Sequence, residues 1–305
     1  MGFIIANTLA YHHAQAMMHF SDEGVPFLRP EQLTLSQKLK TLLTGVKLTR
    51  PHTNKKPSAL DKKCETTQIP SDQNITLGAW YCPVNNDKPL IILFHGYLKD
   101  KSSLIDEAKV FMQEGHSVFL VDFRGSGEST ATYTTIGYHE GDDVAAAFQY
   151  ARQYYAHNNI ILYGQSMGAA AILRAVHSHQ VSADGLIIEA VFDSLLNTVK
   201  NRFHLLGAPD FPGAQLLVFW GGWQTGFDGF AHNPIDYAGA VQSPTLFFHG
   251  ENDDRAWLAQ AQSVYESVPA TKYFSTFPET VHEPHLARHP EKWTREIKFF
   301  LQSEF

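Results

Sequence analysis

Short, continuous apolar runs alternate with helical stretches along most of the chain, and this alternation constrains the fold more than any other feature. Runs without polar interruption are typical of strands covered on both faces, as in parallel sheets. The runs are Leu90–Phe94, Ser117–Asp122, Ile160–Tyr163, Gly185–Glu189, Thr245–Phe248 and Lys272–Phe277. The helical stretches are Leu104–Gln113, Val144–Tyr155, the segments after Ser166, Asp193 and Trp257, and Glu291–Leu301. This order predicts an α/β fold, namely a doubly wound, mostly parallel sheet with helices on both faces.

A β-hairpin is predicted ahead of these runs, over Cys64–Val84. Two strand-like segments flank the polar turn Pro70–Asn74, a pattern that favours an antiparallel pair. A turn centred near Gln73 sets Cys64 opposite Cys82, at a distance that a disulfide can bridge. A bridge and two separate buried thiols both stay open at this point, and a bridge indicates an oxidising compartment.

The chain before the hairpin has a different character. We expect a helical or extended arm over residues 1–63, with one helix at 34–43, and a main domain over residues 64–305.

The apolar run Gly2–Ala10 is too short to cross a bilayer, which takes about 20 apolar residues. Two interpretations stay open: an amphipathic helix over Ile5–Phe20 packed on the domain, or the end of a trimmed membrane anchor or export signal. The second interpretation alone implies membrane association and a cell-envelope or periplasmic location; otherwise the cytoplasm is expected.

A G-x-S-x-G pentapeptide, Gly164–Gly168, follows the third apolar run. It leads directly into a helical stretch of small residues. A sharp strand-to-helix turn of this kind exposes the central serine, and the flanking glycines leave room for the neighbouring strand and helix. The context predicts that Ser166 is a nucleophile.

A serine needs an oriented base, and in this topology the carboxylate and the histidine follow the serine along the chain. The end of the fifth run places Asp253 in position as the acid, with Asp254 and Asp193 as alternatives. The loop after the last run places His282 as the base, with His285 as the alternative. We expect His285 and His289 to lie farther along, on a helix surface.

Two backbone N–H groups are expected to bind the oxyanion that forms when the serine attacks a carbonyl. Met167 follows the nucleophile and supplies one. Tyr97 follows the first run and the pair His95-Gly96, and it is the natural donor of the other. We expect His95 to brace its loop rather than to transfer protons.

Composition argues against nucleic-acid binding, and the available motifs argue against a cofactor or a metal site. Lys and Arg number 24 against 31 Asp and Glu, a net charge of -7, so no broad basic surface favours nucleic-acid binding. No cofactor is expected because the phosphate-binding lysine motif is absent and Gly125-Ser126-Gly127 does not continue as a dinucleotide loop. No metal site is expected either, since His282 and His285 have the wrong spacing for a zinc motif and enclose Pro284.

Taken together, these motifs resemble the α/β-hydrolase superfamily. The resemblance rests on His95-Gly96, the segment Asp122–Ser129, Gly164–Gly168, His249-Gly250 with Asp253, and His282, in that superfamily's order. The sequence is most similar to bacterial esterases and serine-aminopeptidase-like hydrolases with a small lid. The resemblance covers the chain from about Cys64 onward. The resemblance implies that Ser166 is the nucleophile, Asp253 the acid and His282 the base.

The segment between Asp193 and Pro244 is too long for a simple crossover, and we expect a helical lid over residues 194–243. Its aromatic residues either roof an apolar acyl pocket or pack onto the sheet helices; they are Phe219, Trp220, Trp223, Phe227 and Phe230. The predicted function is hydrolysis of small carboxylic esters through an acyl-enzyme. Cleavage of amides or short peptides is the alternative, and a non-catalytic binding protein on the same fold is a remote one.

Overall fold

The computed structural model describes residues 2–21, 34, 36, 45, 48–52, 54–72 and 74–305. Apart from residues 34 and 36, the predicted helix at 34–43 lies outside the described residues, as does Gln73 at the centre of the predicted hairpin turn. Within this part of the chain, no helix combines the length and the apolar character that crossing a bilayer requires.

One eight-stranded sheet forms the centre of the molecule. Its strands are β1 (Glu65–Pro70), β2 (Thr76–Cys82), β3 (Leu90–Phe94), β4 (Val118–Val121), β5 (Ile160–Gln165), β6 (Gly185–Glu189), β7 (Thr245–Gly250) and β8 (Lys272–Phe277). The spatial order is β1-β2-β4-β3-β5-β6-β7-β8. Strand β2 pairs antiparallel with β1 and β4, and all other pairs are parallel. The predicted mostly parallel sheet is therefore confirmed.

Helices cover both faces of the sheet. They are α1 (Gly2–Met18), α2 (Ile105–Gln113), α3 (Glu140–Tyr154), α4 (Met167–His179), α5 (Leu195–Leu205), α6 (Gly213–Thr225), α7 (Pro234–Ala238), α8 (Leu258–Ser267), α9 (His285–Arg288) and α10 (Pro290–Glu304). Side chains alternate between the faces of a strand. In β3, Ile92 faces a core formed with α3, α4 and α8, whereas Ile91 and Leu93 face a core formed with α2 and α10. The two cores explain why the strands are apolar throughout.

The hairpin has the register expected from the sequence. Glu65 pairs with Tyr81, and Pro70 with Thr76, so Cys64 and Cys82 lie opposite each other. The structure joins them by a disulfide, with their Cα atoms 4.2 Å apart. The compartment in which the protein works stays a prediction.

Helix α1 packs along α6, the central helix of the predicted lid. Neither helix contains Asp, Glu, Lys or Arg. Trp220 of α6 contacts Tyr11 of α1 edge-to-face, with ring centroids 5.3 Å apart, and its Nε1 donates to Asn7 Oδ1 at 3.3 Å. We refer to α1, α5 and α6 together as the cap.

Candidate active site

Ser166 lies at the turn between β5 and α4, and its backbone is strained. Its φ is +51° and its ψ is −107°, a conformation that costs a non-glycine residue free energy. Its N–H donates to the carbonyl of Glu189 at 2.8 Å, which ties the turn to the end of β6. The strained turn makes the hydroxyl project beyond the carboxyl end of the sheet. A substrate can reach the hydroxyl there.

The two glycines of the pentapeptide allow this turn to pack closely. A Cβ on Gly168 would lie 2.4 Å from the carbonyl oxygen of Phe94, and a Cβ on Gly164 would lie 2.6 Å from the carbonyl carbon of Gly168. Both distances are shorter than any real contact, so β5, α4 and the end of β3 come together only because these residues lack side chains.

The structure brings His282 and Asp253 to this serine. His282 Nε2 is 2.9 Å from Ser166 Oγ, and His282 Nδ1 is 2.7 Å from Asp253 Oδ2. Asp253 follows β7 and His282 follows β8, so these side chains meet because the carboxyl ends of parallel strands share one edge of the sheet. A neutral imidazole that donates from Nδ1 to the carboxylate leaves Nε2 free to accept the serine proton.

The surroundings of Asp253 keep it ionised. Its side chain is fully buried, and Oδ1 accepts the N–H groups of Arg255 and Ala256, both at 2.9 Å. Burial raises the pKa of Asp253, but the charge and hydrogen bond of His282 outweigh it and lower the pKa to about 2. His249 holds the same loop from behind, since its Nε2 is 2.7 Å from the carbonyl oxygen of Ala256.

The alternative acids and base have other positions. Asp193 accepts from Ser194 N and from Asn197 Nδ2 at the start of α5, and among the described residues Asp254 has no contact with His282. The expectation that His285 lies on a helix surface is wrong. His285 is fully buried at the start of α9, with Nδ1 2.8 Å from Glu189 Oε1.

The loop after β3 lies beside the nucleophile. A Cβ on Gly96 would be 3.8 Å from Ser166 Cβ, so the backbone on either side of Gly96 passes close to the serine. In the described part of the chain, the N–H groups of Tyr97 and Met167 have no backbone acceptor. The prediction that His95 braces the loop is confirmed, because Nδ1 is 2.8 Å from Gly96 O and Nε2 accepts from Phe123 N.

A buried polar cluster behind Ser166 escaped the sequence analysis. Glu189 accepts from Tyr163 OH at 2.9 Å, from Trp293 Nε1 at 3.0 Å and from the backbone N–H of His285 at 3.1 Å. Gln165, next to the nucleophile, donates to Glu107 at 3.0 Å. The cluster thus connects the serine turn with the segment that carries His282. Sequence reasoning missed Glu189 because it is the last residue of an apolar run, and no motif marks it.

The lid aromatics do not form the roof that the sequence suggests as one interpretation. Trp220 packs on α1, and Phe227 stacks on Tyr138 with centroids 4.5 Å apart. Phe219 and Trp223 are exposed. A cavity of about 30 Å³ does lie inside the cap, between α1, α5 and α6, and Phe227 is the one aromatic residue in its lining. The cap contacts the site through Tyr97, whose hydroxyl donates to Met17 O at 2.7 Å.

Two arginines lie beside the candidate acid, and sequence reasoning missed them as well. Arg202 is on α5 and Arg255 is in the loop after β7, and both side chains are half-buried. Within the residues that the structure describes, neither guanidinium makes a hydrogen bond or an ion pair. No sequence signal identifies Arg202, because only the fold brings the lid helix to the acid loop.

The chain resembles known hydrolases in sequence. A family model described as "Serine aminopeptidase, S33" matches residues 85–199. The uncharacterized protein YqkD of Bacillus subtilis is 21% identical over 241 residues, which cover 77% of this chain and 78% of that protein. The lysophosphatidylserine lipase ABHD12 of Rattus norvegicus is 22% identical over 259 residues, which cover 73% of this chain and 61% of that protein.

Solved structures share the architecture. The Pyrococcus furiosus esterase Pf2001 superimposes with a TM-score of 0.67 at 20% sequence identity, covering 84% of this chain and 98% of that chain. The predicted α/β-hydrolase fold is therefore confirmed. The catalytic roles of Ser166, Asp253, His282, Tyr97 and Met167 stay predictions.

Proposed function

We propose that this chain, which has the α/β-hydrolase fold, is a serine hydrolase that cleaves carboxylic esters of small molecules through an acyl-enzyme. The observation that carries the proposal is the continuous chain of hydrogen bonds from Ser166 Oγ through His282 to Asp253. This arrangement supplies a nucleophile, a base in contact with it and a carboxylate that orients the base. A non-catalytic protein has no need for a strained serine in contact with an oriented imidazole.

The first half of the reaction forms the acyl-enzyme. Ser166 Oγ attacks the ester carbonyl while His282 Nε2 takes the hydroxyl proton. Asp253 stabilises the imidazolium through Nδ1–H. The N–H groups of Met167 and Tyr97 bind the oxyanion. When the intermediate collapses, the bond to the alcohol breaks and His282 returns its proton to the leaving oxygen.

The second half releases the acid. A water molecule attacks the acyl carbonyl, and His282 takes one of its protons. Collapse of this second intermediate breaks the bond to Ser166 Oγ, which recovers its proton from His282. The net reaction consumes one water and yields a carboxylic acid and an alcohol, and no step needs a cofactor or a metal.

Amide cleavage is the second candidate, and the match to the serine aminopeptidase description favours it. An aminopeptidase must bind the α-ammonium group of its substrate, which calls for a carboxylate at the site. Asp253 is occupied by His282, and at the next carboxylate, Asp254, the neighbouring cations Arg202 and Arg255 disfavour an ammonium group. The esterase and lipase descriptions of the relatives also support ester substrates.

A direct comparison of substrates tests the proposal. We expect kcat/KM for p-nitrophenyl butyrate to exceed that for aminoacyl p-nitroanilides by about two orders of magnitude or more, because an anilide is intrinsically less reactive than a p-nitrophenyl ester and the site also disfavours the α-ammonium group. The Ser166→Ala variant controls for hydrolysis at any other site. Faster cleavage of the anilides would favour the aminopeptidase, and ester hydrolysis that persists in Ser166→Ala would refute the mechanism.

A further inference from the structure

Arg202 and Arg255 form a pair of cations whose guanidinium groups have no hydrogen bond or ion pair among the described residues. The two residues are neighbours, because Asn201, which precedes Arg202, donates to the carbonyl oxygen of Arg255, and the charge of Arg255 acts on Arg202. Burial, followed by the charge of Arg255, lowers the pKa of Arg202. Half-burying two like charges without a partner costs folding free energy. Such an arrangement indicates that the compensating charge arrives from outside the chain.

Hydrogen bonds place the backbone of this pair beside the candidate catalytic residues. Asn201, adjacent to Arg202 on α5, donates through Nδ2 to the carbonyl oxygen of Arg255 at 3.0 Å and to Gln260 Oε1 at 2.9 Å. The backbone N–H of Arg255 donates to Asp253 Oδ1 at 2.9 Å. The pair is therefore held by the same loop that orients His282.

The other groups that act on Arg202 define the edge of the site. They are the hydroxyl of Tyr97 and the carboxylates of Asp253 and Asp254. Asp253 accepts a hydrogen bond from His282, and in the described part of the chain Asp254 makes no ion pair with either arginine. Tyr97 and Asp253 belong to two loops that approach Ser166, so the charge of Arg202 acts at the edge of the candidate site.

We propose that Arg202 and Arg255 bind an anionic oxygen group of the substrate, a carboxylate or a phosphate, so that the preferred substrates are negatively charged esters. This inference rests on the proposed ester hydrolysis and specifies its substrate class. A guanidinium group matches the planar, two-oxygen geometry of these anions. The chain as a whole carries a net charge of -7, so it repels anions elsewhere, and a local cationic pair is needed to admit one.

Matched substrate pairs test the inference. On the acyl side, p-nitrophenyl hexanoate is compared with mono-p-nitrophenyl adipate, which has the same chain length and a terminal carboxylate. On the alcohol side, 1-butyrylglycerol is compared with 1-butyrylglycerol 3-phosphate. In the wild type we expect a higher kcat/KM for the charged member of at least one pair, and the pair that shows the preference identifies the anion and its side of the ester.

Substitution then assigns the preference to the two arginines. Arg202→Gln should lower kcat/KM for the charged ester by about 10- to 100-fold, the usual effect of losing a charge-assisted hydrogen bond, and leave the neutral partner nearly unchanged. Arg255→Gln should act in the same direction, and Arg202→Lys should retain part of the preference. Lys200→Gln is the matched control, because two residues along a helix place it on the opposite side of α5.

The possible outcomes separate the inference from the proposed function. If Arg202→Gln lowers kcat/KM for neutral and charged esters equally, or if the wild type prefers the neutral member of both pairs, the anion site is refuted while ester hydrolysis stands. If the wild type cleaves neither neutral nor charged esters, the proposed function itself fails. Thermal unfolding of each variant checks that any loss of activity does not come from a loss of fold.

Discussion

The two sides of Ser166 are built from different kinds of contact. Behind the serine, buried charged groups such as Glu189 and Asp253 each have several partners at defined distances. In the cap, helices α1 and α6 contain no Asp, Glu, Lys or Arg and meet mainly through apolar and aromatic side chains, together with two hydrogen bonds, from Trp220 to Asn7 and from Gln224 to the carbonyl oxygen of Tyr11. Polar networks fix one geometry because each unmade hydrogen bond is costly, whereas apolar contacts tolerate rearrangement. The side behind the serine is therefore suited to hold Ser166, Asp253 and His282 in one geometry, and the cap is suited to rearrange.

The largest expected effect comes from the polar side. Asp253→Asn should lower kcat/KM for p-nitrophenyl butyrate by about 10³-fold or more, because an asparagine does not stabilise the imidazolium or select the right tautomer of His282. Steady-state kinetics measures this loss. Asp254→Asn is the matched control and should stay within about twofold of the wild type. An equal loss in both variants would contradict the assignment of Asp253 as the acid.

A smaller effect is expected in the polar cluster behind Ser166, where Glu107 should make the free energy of unfolding depend on pH. Burial, followed by the charge of Glu189, raises the pKa of Glu107 from 4.5 to about 8. The folded protein thus retains a proton that the unfolded chain loses above pH 4.5. The free energy of unfolding should therefore be highest below pH 4.5 and fall by about 1.4 kcal/mol per pH unit up to about pH 8 because of this one group.

Urea unfolding of wild type and Glu107→Gln at several pH values measures this contribution as a difference. The variant should lack the decline, so that its stability relative to the wild type increases with pH. Asp106→Asn, an exposed neighbour on the same helix, should leave the slope unchanged. If the free energy of unfolding depends on pH in the same way in wild type and Glu107→Gln, Glu107 is ionised in the folded protein at neutral pH.

The smallest effect is expected in the cap. Trp220→Ala removes the ring contact with Tyr11 and the hydrogen bond to Asn7, and it should lower the free energy of unfolding by about 1 kcal/mol. Trp223→Ala changes a ring that is 65% exposed, so it should lower the free energy of unfolding by less. Urea unfolding compares the two variants. Both should hydrolyse p-nitrophenyl acetate within about twofold of the wild type, and a loss comparable to that of Asp253→Asn would mean that the cap also positions the catalytic groups.

The same contrast explains how much the sequence revealed. The apolar runs predicted six strands because burial on both faces leaves a clear pattern, and Ser166, Asp253 and His282 could be selected because each follows such a run. The contacts of the cap could not be predicted. Helix α6 is apolar on all sides, so its sequence does not indicate which face meets α1 or the sheet. The contact between Glu189 and His285 was also missed, since it depends on two distant strand ends meeting.

The N-terminal residues illustrate the same limit. The apolar run that begins at Gly2 left both a packed helix and a trimmed anchor open. In the structure, the run is part of α1, which packs on α6 and accepts the Tyr97 hydroxyl at Met17 O. That contact is determined by tertiary packing, and no local pattern encodes it.

The central claim is that Ser166 is a nucleophile activated by His282. The most direct test is to react the folded 305-residue chain with a fluorophosphonate and to map the adduct by mass spectrometry. We predict one adduct, on the peptide that contains Ser166, and no labelling of the folded Ser166→Ala variant. An adduct on any other residue, or an unmodified Ser166 in folded wild-type protein, would contradict the claim.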